Sequence, residues 1–388
     1  MKQIPSLWLM VLLLMLPQVV ETIYSPALTA ISASFAVPEH IAAQTLSVYF
    51  AAFAFGVVCW GILCDRWGRR PTMLLGLILY AGASLLAIVT DSFTMLMIAR
   101  ILSAFGIAVG SIVTQTMLRD AFQGEELAKV FSLMGLGIAI SPVLGMLLGG
   151  QLVSLGGYRS VFIALFVAAM AVVTLAFARL PETQQKRTST ALLPLATKMV
   201  KDGEIWTAAL LVALYNIALF AYYQLGGFVF VQLGYSAREF GYSGLVLGLA
   251  TFCASYINKR LLVRKVSQTT LLRLAATLFV FGSLGVFLCL NSIWFLLPMM
   301  GVVMAFGIAI PNILSGALLH YREHAGSAGA LFGLMYYLLI GFGLALAARV
   351  QYLGVVLVGC SLLILCAEES PDDLDKNHQV KVDAHLVM

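Results

Sequence analysis

The decapeptide Gly61-Ile62-Leu63-Cys64-Asp65-Arg66-Trp67-Gly68-Arg69-Arg70 sets four charges between the end of one long apolar run and the start of the next. Hydrocarbon cannot hold Asp65, Arg66, Arg69 and Arg70 together, so the stretch must lie in water between two membrane helices, with its arginines biased toward the cytoplasm. Comparable apolar runs recur along the whole chain. Of its 388 residues 61% are apolar and 11% charged, where a soluble domain carries about a quarter charged. At about 20 residues per crossing, an all-α integral membrane protein of a dozen helices is expected. The runs fall near residues 7–30, 42–64, 72–90, 93–118, 130–154, 160–179, 204–231, 241–258, 268–290, 292–319, 326–348 and 350–367.

With both termini cytoplasmic, all but four of the 23 Lys and Arg residues fall on the inner side. Arg159, Arg238 and Arg349 lie outside, and Arg100 lies within a span. A helix more or fewer would destroy that asymmetry. The first run continues past Pro17 and Glu21 to about Ala30, too long for the apolar region of a secretory signal, and is expected to be an uncleaved first span. The polar stretch 181–203, with Glu182, Gln184, Gln185, Lys186, Arg187, Lys198, Lys201 and Asp202, divides the chain into an N-terminal six-helix bundle (1–180) and a C-terminal one (204–367). Residues 368–388 form an acidic cytoplasmic tail expected to be disordered. Asn258-Lys259, at the matching end of span eight, is a degenerate echo of Asp65-Arg66, as two parallel repeats would give.

Two ionisable groups sit well inside the spans, Glu21 in the first and Arg100 in the fourth. Facing lipid, each would cost at least about 2.5–3.5 kcal/mol. Both must therefore face the bundle interior, a partner or a watery cavity. At 1.5 Å per residue both lie roughly 10–14 Å below the outer surface. Two readings are open: Glu21 binds a proton or a cationic substrate group beside Arg100, or the two form a static ion pair that orients helices.

The pattern G-x-x-x-D-R-x-G-R-R formed by Gly61, Asp65, Arg66, Gly68, Arg69 and Arg70 resembles the loop signature of the major facilitator superfamily. The segment Thr22-Ile23-Tyr24-Ser25-Pro26-Ala27-Leu28, Arg100 with Gly106, Leu118-Arg119-Asp120, and Ser141-Pro142 with Gly149-Gly150 resemble the twelve-span drug:proton antiporter branch, in particular the bicyclomycin-resistance (Bcr/CflA) group. The resemblance implies the major facilitator fold, two pseudo-symmetric six-helix bundles, in a bacterial inner membrane. It also implies multidrug efflux, and hence antibiotic resistance, by alternating access. There are departures. The group's span-one acid would fall at Thr22, one place after Glu21; its span-four glutamine is Ser103; and its span-five Gly-Pro reads Gly145-Met146, with Gly149 and Gly150 retained.

Further cavity candidates are Thr22, Tyr24 and Gln115, the aromatic and amide cluster of span seven that includes Tyr215 and Asn216, Asn312 after Pro311, and Tyr336 beside Tyr337. A wall of rings suits lipophilic or cationic molecules. Asp65 is placed to dock against the start of span eleven as a conformational latch, with Arg69 and Arg70 bracing nearby carboxylates. The cysteines show no C-x-x-C spacing and no histidine lies deep in an apolar run, so no metal site, cofactor or catalytic constellation can be assembled. The scattered basic residues give no nucleic-acid face. A proton-coupled exporter is expected, working as a monomer because one chain with two halves encloses a complete path. The alternatives are a dedicated metabolite or siderophore exporter, or a non-transporting sensor or channel.

Overall fold

The computed structural model describes residues 5–184 and 192–369. Gln185, Lys186 and Arg187 of the expected linker, the tail beyond residue 369, and His378 and His385 with it, lie outside the described residues.

The chain is a succession of helices: α1 (Leu7–Ile23), a 3-10 turn (Ser25–Ala27), α2 (Leu28–Ser34), α3 (Glu39–Trp67), α4 (Arg69–Val89), α5 (Phe93–Ala121), α6 (Gly124–Arg179), α7 (Leu192–Val200), α8 (Gly203–Gln232), α9 (Ala237–Val263), α10 (Gln268–Cys289), α11 (Leu296–Ala317), α12 (Ala325–Val350) and α13 (Leu353–Glu369). Backbone polar groups in hydrocarbon must be satisfied within their own segment, which is why apolar runs of this length become helices. The first crossing bends at Pro26, where a 3-10 turn joins α1 to α2. Ten stretches among the described residues are long and apolar enough to span a membrane, and α13 adds a shorter apolar helix. One of the ten, α6, has 56 residues, about 84 Å of helix, more than twice a hydrocarbon core. It breaks at Gly156 and Gly157, whose backbone is not helical. Both its ends return to the Arg69-Arg70 corner: Arg70 Nη2 donates to the Phe177 carbonyl at 2.8 Å, and the Arg119 guanidinium stands 5.8 Å from the Phe131 ring centre. Counted as two crossings, α6 brings the total to the expected twelve, and the chain is a multi-pass membrane protein.

The charged decapeptide is shorter as a loop than the sequence implies. α3 runs through Asp65 and Arg66 to Trp67, and Gly68 alone separates it from α4. Gly68 has φ 107°, a conformation that costs a residue with a Cβ. The end of α3 is closed by Arg69 Nη1, which donates to the Cys64 carbonyl at 2.9 Å.

Within the first half, α5 packs on α3 and α4, and α1 on α6; within the second, α10 packs on α11 and α13, and α11 on α9. Two long seams join the halves, α3 along α12 and α6 along α9. Cross-half hydrogen bonds lie toward the end away from Asp65. Gln224 Nε2 donates to the Ala43 carbonyl (2.8 Å) and to Ser47 Oγ (3.1 Å), Gln44 Nε2 to the Ala345 carbonyl (3.1 Å), and Ser25 Oγ to the Tyr223 carbonyl. Nearby, Gln151 bonds Tyr242 and Arg238 at 2.9 and 2.8 Å. Among the described residues no hydrogen bond joins the halves at the end that carries Arg69 and Arg70, called the basic face below.

Candidate functional site

Arg100 is fully buried. α5 carries it to where α1 and α3 converge, and its guanidinium lies between two rings, 3.8 Å from the centre of Tyr24 and 4.4 Å from that of Tyr49. None of its three nitrogens has a hydrogen-bond partner. A desolvated guanidinium over an aromatic face gains about 2 kcal/mol or more, and the second ring supplies a second such contact. Tyr24 is itself fixed by donating to Thr45 Oγ1 at 2.8 Å. Glu21, 2% exposed, is the only acid among the buried side chains of the described residues, and its Oε1 has no partner. Glu21 and Arg100 make no ion pair, although Arg100 acts on Glu21 electrostatically. Both face protein rather than acyl chains.

Rings from both halves surround this level. Phe50 and Phe53 of α3 meet Phe220 of α8 and Tyr337 of α12: Phe50–Phe220 are 4.4 Å apart between centres and Phe53–Tyr337 5.0 Å, and Tyr223 and Tyr336 extend the group. Tyr49, Tyr223, Tyr336 and Tyr337 all lie within electrostatic reach of Glu21. Asn216, half-buried, is one turn from Phe220 and donates to the Val212 carbonyl at 2.7 Å. Gln115 is half-buried and lies about 60° around α5 from Arg100.

Other expected cavity residues are used in packing. Thr22 Oγ1 donates to Gln18 O at 2.8 Å, and the side chain fills the space that Gly145 leaves. Tyr215 is buried edge-on against Phe279 at 5.2 Å. Asn312 donates to Asn258 Oδ1 at 2.9 Å and ties α11 to α9. Thr22 and Asn312 thus find polar partners in their own helix or a neighbouring one, and Tyr215 packs its ring. Tyr222 and Tyr223 are interior, Tyr222 within 2.5 Å of Ser243 Oγ. Gly145 and Gly149 admit α1 against α6, and Gly150 admits α9. Pro142 stands inside α6.

At the basic face, the Asp65 side chain has its ion pair, among the described residues, within the first half. Its carboxylate accepts from Arg69 Nη1 at 3.1 Å, while Arg69 Nε donates to Asp120 at 2.8 Å. Glu182 accepts from the backbone N–H groups of Arg69 and Arg70, both at 3.0 Å, capping α4 with a carboxylate where the helix dipole favours one. Arg66 is exposed and Gly61 lies 3.8 Å, measured from a built Cβ, from Ile112 of α5. The sequence does not single out Tyr49, which resembles any span aromatic, nor does it show that the carboxylates beside Arg69 are those of Asp120 and Glu182, which lie far along the chain.

Residues 8–344 match the family model described as Major Facilitator Superfamily. The chain belongs to that superfamily. It is a transporter and not an enzyme. It is 28% identical over 341 residues to "Multidrug resistance protein D" of Escherichia coli (strain K12), covering 86% of this chain and 85% of the relative. It is 26% identical over 335 residues to the "Bicyclomycin resistance protein homolog" of Haemophilus influenzae (strain ATCC 51907 / DSM 11121 / KW20 / Rd), covering 83% of each. These relatives agree with the group that the sequence resembles. A crystal structure of a D-xylose-proton symporter superposes with TM-score 0.72 at 16% identity, over 92% of this chain and 96% of that one, a likeness of fold.

Proposed function

We propose that this facilitator is a proton-coupled exporter of small lipophilic or cationic compounds, acting as a monomer in a bacterial inner membrane with both termini and the basic face in the cytoplasm. Residues 1–180 and 204–367 are the bodies that rock about the seams α3–α12 and α6–α9. One observation carries the reading: Glu21, the single buried acid among the described residues, lacks a partner on one oxygen, near a cation held by rings rather than by a carboxylate. An acid held in a static pair would have spent its charge; Glu21 is left to exchange a proton, or a cationic substrate, as the halves move. The rings around it come from α3, α8 and α12, so a bound molecule would touch both bodies at once. The relatives named for multidrug and bicyclomycin resistance support the substrate class.

Everted vesicles with an imposed proton gradient, screened with dyes, antibiotics and siderophores, test this. The wild type accumulates several cationic or lipophilic compounds, and Glu21→Gln abolishes the dependence on the gradient. Unchanged gradient-driven uptake by Glu21→Gln removes Glu21 from coupling, and uptake of a single siderophore or metabolite alone would favour a dedicated exporter.

A further inference from the structure

The seam between α6 and α9 is built from small residues at the end away from the basic face. A Cβ on Gly241 would stand 2.7 Å from the Met146 carbonyl, one on Gly244 2.6 Å from Met146 Cβ, and one on Gly248 2.5 Å from Val143 Cγ2. The helices run antiparallel, so each step of three or four along α9 matches an equal step back along α6. The last of these glycine contacts is that of Gly248 with Val143. Beyond it α9 and α11 border an open groove of about 530 Å³, lined by Ser255, Asn258, Lys259, Leu262, Gly307 and Pro311, with no α6 residue in its lining. The α6 face that should continue the seam is bare: Leu136, seven residues from Val143 and thus on the same side of the helix, is 63% exposed.

Extending the register by about two and three turns sets Leu136 opposite Ser255 and Ser132 opposite Lys259; the same count brings Glu126, at the start of α6, level with Lys265, just past the end of α9. The charges at the far end are complementary. Glu125 and Glu126 open α6, Arg264 and Lys265 close α9, and all four are exposed. Glu125 is taken by Lys129 at 2.9 Å; Glu126, Arg264 and Lys265 make no ion pair among the described residues.

We infer that the groove is the seat of Leu136: when the basic face shuts, α6 and α9 zip in the register set by their glycines, Leu136 fills the space beside Gly307 and Pro311, and Glu126 pairs with Lys265. This inner lock rests on the reading of the chain as an alternating-access transporter but not on any substrate or on protons.

The test uses the full chain in membranes, with Cys59, Cys64, Cys253, Cys289, Cys360 and Cys366 replaced. Leu136→Cys with Ser255→Cys should join with a short thiol cross-linker, whereas Ile138→Cys with Ser255→Cys, two residues around the helix, should not. Gln44→Cys with Ala345→Cys reports the end that is closed here and shows that each preparation is folded. Failure of the Leu136 pair to join in membranes where the Gln44 pair joins overturns the lock, as does equally fast joining of the Ile138 pair. Cross-linking of the Leu136 pair without any gradient-driven export sinks the proposed function and leaves the lock standing. In a chain that does export, Glu126→Lys should lower the rate about fivefold and Lys265→Glu in the same chain should restore most of it. No rescue overturns the ion pair.

Discussion

At the scale of single residues, Arg100 shows how a charge is kept inside a membrane protein without a counter-ion. A flat guanidinium stands over the rings of both Tyr24 and Tyr49; a compact ammonium cannot stack on ring faces in that way. Arg100→Lys should therefore keep the charge yet cost on the order of 1–2 kcal/mol, read as a lower thermal midpoint in detergent and slower export at unchanged protein level. A wild-type midpoint would mean that the rings do not hold the side chain. Glu21 and Arg100 were legible in the sequence because a charge in an apolar run stands out against its cost. Their relation was not. Equal depth suggested a pair, and the structure gives Arg100 to rings and leaves Glu21 one bare oxygen, a choice made by χ angles and by Tyr49, 51 positions away on another helix.

The number of crossings and the reversal within each half followed from hydropathy and from the bias of the basic residues; which faces meet did not, since small residues look alike wherever they point. At this scale of elements, α6 is the instructive case. A Cβ on Gly149 would run into the Ile23 carbonyl, whereas one on Gly135, in the same helix, meets nothing within 4 Å. Gly149→Ala should destabilise the protein by about 1–3 kcal/mol through forced separation of α1 and α6, and Gly135→Ala should leave it unchanged or slightly more stable. Thermal melts of the two variants side by side check this, and equal melts would mean that α1 retreats freely. The spacing of Gly241, Gly244 and Gly248 on α9 complements the glycines of span five, but a single sequence does not say that the two faces meet. Thr22 and Asn312 illustrate the converse: a polar side chain in an apolar helix announces that it needs a partner, and one sequence does not say whether that partner is solvent, a neighbouring helix or its own backbone.

For the whole molecule, cross-half hydrogen bonds gather at one end, with Gln224 giving two of them. Each is worth about 0.5–1.5 kcal/mol net, so Gln224→Ala should shift the balance between conformations by roughly tenfold. A cysteine at Ala43, buried here, should then react several times faster with a water-soluble maleimide. An unaltered rate would show that the glycine seams, not these bonds, keep that end shut. The two halves are also unlike at the basic face. The first fastens its helices there with Arg69 between Asp65 and Asp120, the acids 39% and 24% exposed, whereas the second uses the uncharged Asn258 and Asn312 at 2.9 Å. Dissolved electrolyte weakens attraction between partly wetted charges and hardly touches an amide contact. The pseudo-twofold of the fold thus hides a difference in temperament: brine would slacken one corner of the transporter while its twin stayed taut.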